Sequence, residues 1–236
     1  MASTFRGWQR HNNSYIAMLV NADFSRNVFV GPDEYNWVTS PQGGVERMML
    51  DRLGAEKARA TSIVRYAPNS SFPSHTHFGG EEVFVLSGVF SDDFGDYPAG
   101  WYLRNPPGSK HRPFSENGAL IFVKLWQMSH LDNDTIRIDT RQEQAWHRTD
   151  SREICPLYVS DAERVCLQRL MPRARLLDDA VNGVELLVLA GDVEIEGRSF
   201  GRGSWMRLSN SVELALIAGS SGASVYLKTG HLNNAY

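Results

Sequence analysis

Two short stretches of this chain gather the residue types that do chemistry. In His75-Thr76-His77-Phe78-Gly79-Gly80-Glu81, two imidazoles lie two residues apart and a carboxylate follows four residues later. In an extended chain, residues two apart project to the same face, so His75 and His77 address one point. The Gly79-Gly80 pair lets the backbone turn tightly enough to bring Glu81 to that point. The second stretch runs from Gly100 through Pro106 and Gly108 to His111, a strand ending in a Pro-Gly turn that swings His111 back toward the first group. Imidazoles and a carboxylate gathered in this way offer lone pairs and titratable protons near neutral pH.

The elements that position them come in two copies. Arg65 and Pro68 recur as Arg169 and Pro172, Glu82-Val83-Phe84-Val85-Leu86-Ser87-Gly88 as Glu185-Leu186-Leu187-Val188-Leu189-Ala190-Gly191, and Phe122-Val123-Lys124 as Tyr226-Leu227-Lys228. A near-constant offset over about 60 residues is the signature of a repeated structural unit. Trp37 and Val45 correspond to Trp146 and Ile154, and the turn-prone run around Asp132, Asn133 and Asp134 marks the boundary, giving expected domains of 1–132 and 133–236.

Within each unit, Ile63 to Tyr66, Val83 to Leu86, Trp101 to Arg104 and Leu120 to Trp126 read as short strands, rich in β-branched and aromatic residues and separated by Gly, Pro, Asn and Asp. Val45, Met48, Met49 and Leu53 fall at helical spacing. Pro156 interrupts the corresponding run of the second copy, so this segment too is expected to be strand. Ser91 to Tyr97 reads as a solvated hairpin tip, and Arg104 and Lys124 as solvated edge charges. The recurrence of Lys124 and Glu82 as Lys228 and Glu185 points to a structural role.

The two chemical stretches resemble the paired motifs of the cupin superfamily, HxHxxxE followed after six residues by Gly, then G, five residues and PxGxxH. The text from Ser71 to His111 is similar to the ChrR-type cupins, named for a zinc-binding anti-sigma factor. This resemblance implies an all-β fold of two tandem jelly-roll (double-stranded β-helix) barrels, the second degenerate. It also implies one metal held by His75, His77, Glu81 and His111. Two positions depart from the pattern: Asn69 stands where Gly is usual, a residue that accepts left-handed turns, and Ser115 where Asn is common. In the second copy the ligands map to Asp178, Ala180, Val184 and Leu214, and Pro106 and Gly108 become Ser209 and Ser211. That unit is therefore expected to hold no metal and to serve packing, dimerisation or covering of the first barrel's mouth.

Three neutral imidazoles and one carboxylate suit Fe(II), Mn(II), Ni(II), Co(II) or Zn(II), and the ligand set alone does not choose between them; the resemblance implies Fe(II) or Zn(II) foremost. No catalytic residue beyond the ligands is singled out. Related cupins that cleave acetylacetone or dihydroxyacetophenone use iron, so the resemblance implies a metal-dependent dioxygenase or related oxidoreductase acting on a small dicarbonyl or phenolic substrate. The alternative is a ChrR-like sensing regulator. Such regulators resemble one another in a separate N-terminal helical domain with its own histidine and cysteine ligands; residues 1–40 contain no cysteine, one histidine and too few residues for it, so the sigma-binding half is not expected here.

Composition bounds the remaining classes. The chain has 236 residues with 24 Lys and Arg against 27 Asp and Glu, and a net charge of −3 argues against a nucleic-acid partner. No apolar run suits a bilayer and the start lacks a signal-peptide layout, so a cytoplasmic location without membrane attachment is expected. Cys155 and Cys166 form no CxxC and are expected to be reduced, packed thiols. His11, His130, His147 and His231 are expected to be ordinary surface or core histidines.

Overall fold

The computed structural model describes residues 18–55, 57–179, 181–209 and 215–234. The described residues are all-β apart from short 3-10 turns. In order, the strands are β1 (Leu19–Val20), β2 (Val28–Val30), β3 (Trp37–Thr39), β4 (Val45–Leu53), β5 (Arg59–Tyr66), β6 (Ser70–Ser71), β7 (His75–His77), β8 (Glu81–Asp92), β9 (Gly95–Pro98), β10 (Trp101–Asn105), β11 (Ser109–His111), β12 (Phe114–Ser115) and β13 (Ala119–Leu125). They continue with β14 (Ile136–Asp139), β15 (His147–Arg148), β16 (Arg152–Val159), β17 (Arg164–Leu170), β18 (Val184–Ile195), β19 (Arg198–Gly201), β20 (Trp205–Leu208) and β21 (Ile217–Thr229). Among the described residues no helix is long and apolar enough to cross a membrane.

One strand order occurs twice. The first sheet runs β4-β5-β13-β8-β10 and the second β16-β17-β21-β18-β20, all antiparallel. Each ladder remains open at its ends instead of closing into a complete hydrogen-bonded barrel. Two strands cross between the halves of the chain: β14 adds to β10 in the first sheet, and β2 adds to β20 in the second. A separate ribbon pairs β7 with β11.

The backbone irregularity of β8 recurs in β18. Gly88 has φ +71°, and a Cβ there would lie 2.1 Å from the carbonyl oxygen of Gly118; Gly191 has φ +65°, with the same 2.1 Å approach to Gly222. Only glycine fits both the angle and the contact, which is why each strand carries Gly at its kink.

Both faces of these sheets are buried, and this decides how the sequence patterns read. One core lies inside the first unit, with Val45, Val64, Val83, Val85, Leu103 and Ile121 among its members. A second fills the other unit around Leu186, Val188, Met206 and Val225. A third lies between the units, where Met48, Leu50, Phe84, Tyr102 and Phe122 meet Cys155, Leu167, Leu187, Trp205 and Tyr226. The helix-like spacing in β4 arises because Val45 faces the first core and Met48 the interface, so both sides of one strand are apolar. The segment is a strand, as the position of Pro156 indicated.

Two expectations about charge are overturned for the same reason. Arg104 and Lys124 are each only 1% exposed, because the sheet face they occupy meets the second unit instead of water. Arg104 reaches Glu82, Asp132 and Glu163 at 3.3, 2.6 and 3.0 Å, and Lys124 reaches Glu185 at 2.5 Å. Cys155 is buried, Cys166 half-buried, and both are free thiols. His130 and His147 are exposed, His231 is buried against Glu185, and His11 lies outside the described residues.

Candidate metal centre

The ribbon of β7 and β11 assembles the site. His111 is the direct partner of His75, and Ser109 of His77, so the two sequence stretches meet strand against strand. The amide of Gly108 donates to the His77 carbonyl at 2.9 Å and the amide of Gly80 to the same oxygen at 3.2 Å. Gly80 takes φ +73°, a left-handed geometry that glycine adopts without strain, and a Cβ on Gly79 would lie 2.4 Å from the Trp126 ring and displace it. Asn69, which precedes this ribbon, takes φ +60°, the left-handed geometry expected of it.

The result is a group of three histidines, His75, His77 and His111, whose ligand atoms all lie within 4.8 Å of one another and which could hold a metal ion. His75 is exposed, whereas His77 and His111 are buried. The Nε2 atoms of His77 and His111 are 2.8 Å apart, and Glu81 Oε2 is 3.6 and 3.4 Å from them. His75 Nδ1 lies 2.9 Å from the Pro73 carbonyl, which leaves its Nε2 free. Three imidazole nitrogens beside one carboxylate form a donor set suited to a divalent transition metal.

Residues that sequence reasoning missed hold these groups in place. Asp92 belongs to the acidic run read as a solvated tip. The hairpin of β8 and β9 does turn at Asp93 and Phe94, but the Asp92 side chain is buried and its Oδ2 lies 3.0 Å from His111 Nδ1. Glu81 accepts from Asn105 Nδ2 at 3.0 Å, and Asn105 accepts from Arg137 Nη2 at 2.6 Å. Strand phase was the available signal: Asn105 directly faces Glu81 across β10 and β8.

Electrostatics separates the two buried imidazoles. Burial lowers the pKa of His77 against the pull of Glu81, favouring the neutral ring that ligation requires. Burial also disfavours charge on His111, but the Asp92 hydrogen bond and the Glu81 charge outweigh it and raise its pKa. For Asp92, burial is outweighed by the hydrogen bonds from His111 and the Phe94 amide, which lower its pKa.

Aromatic rings flank the cluster, with Phe72 at 6.3 Å from His75 and Phe90 at 6.3 Å from His111 between ring centres. Phe84 and Tyr102 face the second unit instead. A cavity of about 240 Å³ lies apart from the histidines, lined by Gly100, Trp146, Leu167, Arg169 and Leu189 among others. At the second unit's corresponding positions, Asp178 is exposed and paired with Arg152 at 2.5 Å, and Val184 is part of the core. Ala180 and Leu214 lie outside the described residues.

Residues 25–129 match the ChrR Cupin-like domain family. No curated protein sequence matches the chain. Among solved structures, a candidate dioxygenase from Nostoc punctiforme is similar, with a TM-score of 0.71 at 15% identity over 87% of this chain and 82% of that one. The bacterial pirin YhhW from Escherichia coli in complex with nickel(II) gives 0.63 at 13% identity over 86% and 98%. The 11S globulin of Wrightia tinctoria gives 0.64 at 9% identity over 89% and 85%. These likenesses establish a shared cupin fold.

Proposed function

For a chain whose residues 25–129 form a ChrR cupin-like domain, we propose a metal-dependent dioxygenase acting on a small dicarbonyl or phenolic substrate. The single divalent metal is held by His75, His77, Glu81 and His111. The observation that carries this reading is the convergence of three histidine ligand atoms within 4.8 Å, beside a buried carboxylate. Fe(II) suits this donor set and this chemistry. Zn(II), Mn(II), Co(II) and Ni(II) belong in the same test, the last because a cupin-fold neighbour is described with nickel.

A divalent metal held by these residues would supply Lewis acidity toward a substrate oxygen and the affinity for dioxygen that the chemistry needs. The chain's own residues do the remainder. Glu81 is the one anionic ligand, which leaves net positive charge to attract an enolate or phenolate. Asp92 keeps the Nδ1 of His111 engaged, so its Nε2 faces the cluster. Phe72 and Phe90 give the surroundings an apolar lining. A dioxygenation of this kind draws its electrons from the substrate and needs no separate reductant.

The test is anaerobic loading of apoprotein with Fe(II), addition of β-diketones and hydroxyacetophenones, and measurement of oxygen uptake. Uptake that depends on substrate and on His111 supports the enzyme. Inert Fe, Mn, Ni and Co forms, with tight binding of Zn(II) alone, would replace it with a ChrR-like regulatory sensor.

A further inference from the structure

Arg137 lies outside both stretches that carry the ligands, on β14, yet its guanidinium reaches both sides of the site. On one side, Nη2 donates to Asn105 Oδ1 at 2.6 Å, and Asn105 Nδ2 donates to Glu81 Oε2 at 3.0 Å. On the other, Nε donates to the Tyr97 hydroxyl at 3.2 Å and Tyr97 donates to Asp92 Oδ1 at 3.3 Å. Asp92 then accepts, through Oδ2, from His111 Nδ1 at 3.0 Å. The remaining nitrogen, Nη1, donates to the carbonyls of Arg104 and Ile136 at 3.2 and 2.8 Å, which ties the guanidinium to the β10–β14 ladder.

We infer that Arg137 is the positioning residue of the metal centre, one guanidinium orienting Glu81 through Asn105 and His111 through Tyr97 and Asp92. The inference rests on the metal-binding reading above.

The chemistry of each link explains why arginine stands here. An amide can present either its oxygen or its nitrogen to a carboxylate, and only the nitrogen donates. A donor from Arg137 on Oδ1 forces the Asn105 nitrogen toward Glu81. The second branch holds the Tyr97 hydroxyl against Asp92 Oδ1, which fixes the carboxylate with Oδ2 turned to His111 Nδ1. Lysine would supply the charge but not two diverging donors held in one plane. Register makes both reaches feasible: Arg137 pairs with Leu103 on β10, and Leu103, like Asn105, lies on the face turned to the first unit's interior.

The test uses the full chain with Arg137→Gln, Arg137→Lys, Tyr97→Phe and Asn105→Ala, each first shown to keep the wild-type near-ultraviolet dichroism. Zn(II) affinity is read by competition with a chromophoric chelator, and the His111 imidazole by nitrogen-15 NMR of metal-free protein. Arg137→Gln should weaken Zn(II) binding by about 10- to 100-fold, with only partial recovery in Arg137→Lys. Tyr97→Phe and Asn105→Ala should each cost less, and Arg137→Gln should add little once both are present, because the branches share one origin. The His111 Nδ1–H signal should move in Arg137→Gln and Tyr97→Phe and stay in place in Asn105→Ala. Affinity within about twofold of wild type with an unmoved His111 signal in Arg137→Gln would overturn the inference. If wild-type protein takes up no Zn(II), the metal reading fails by itself, and the NMR comparison alone decides: a moved signal supports positioning by Arg137, an unmoved one overturns it. Tyr97→Phe deletes a single oxygen and carries the same comparison should the Arg137 variants not fold.

Discussion

Lys124 of β13 and Glu185 of β18 meet at 2.5 Å across the seam between the two units, with both side chains no more than 1% exposed. Their counterparts at the repeat offset make the crossed pair, Lys228 with Glu82 at 2.9 Å. Within each sheet the glutamate is also the direct neighbour of the other lysine: Lys124 faces Glu82, and Lys228 faces Glu185. Four charges therefore alternate in sign around the seam. Trp205 Nε1 donates to Glu185 at 2.9 Å, and the Tyr226 hydroxyl donates to Glu82, so neither carboxylate depends on one partner.

Removing one member of such a set leaves a buried charge uncompensated. Lys124→Met should cost about 3–5 kcal/mol of folding stability, and a double-mutant cycle with Glu185→Gln should give a coupling well above the roughly 0.2–1 kcal/mol of an exposed pair. Urea unfolding measures both. A cost below about 1 kcal/mol would show that the seam is wet and the units are loosely joined.

Acid should loosen this seam in two stages. Burial pushes His231 down to about 4, from 6.5 in the unfolded chain, despite its hydrogen bond to Glu185. Glu82 is lowered to about 2, from 4.5, because Lys228 and Arg104 outweigh its burial. In both cases the unfolded chain binds more protons within the window between the two values. The contribution of these two groups is thus fully present above pH 6.5, declines toward 4 through His231, and declines from 4.5 toward 2 through Glu82. His231→Gln should flatten the first stage in urea midpoints recorded against pH. An unchanged slope there would assign the acid sensitivity to other groups.

Leu186 and Leu187 are neighbours on β18 that enter different cores, Leu186 the second unit's interior and Leu187 the seam. Sequence alternation alone expects only one of them to face inward. The structure predicts that Leu186→Asp and Leu187→Asp are each severely destabilising, by several kcal/mol, since Leu186 is flanked across the sheet by Met206 and Leu227 and Leu187 by Trp205 and Tyr226. Thermal unfolding of both variants checks this; one tolerant position would mean that its face of β18 is exposed.

What the sequence revealed, and what it hid, follows from one physical fact. Strand positions and the meeting of His75, His77 and His111 depend on local geometry and motif spacing, and these were legible. The burial of Arg104 and Lys124 was not, because alternation on a strand shows that two faces differ without showing that the second face meets another sheet. Asp92 was hidden by its neighbours: in a run with Asp93 and Asp96 its charge resembles that of a solvated turn, and only the hairpin's phase turns it toward His111. Arg137 was hidden by distance, since β14 joins β10 from beyond the acidic linker.

The central claim is that His75, His77, Glu81 and His111 hold one metal ion while the second unit holds none. The most direct test is elemental analysis of the purified 236-residue chain, wild type beside His77→Ala/His111→Ala, after equilibration with a divalent metal and removal of the excess. About one equivalent per chain in the wild type, falling nearly to zero in the double variant, is the predicted result. Two equivalents in the wild type, none at all, or retention by the variant would contradict it.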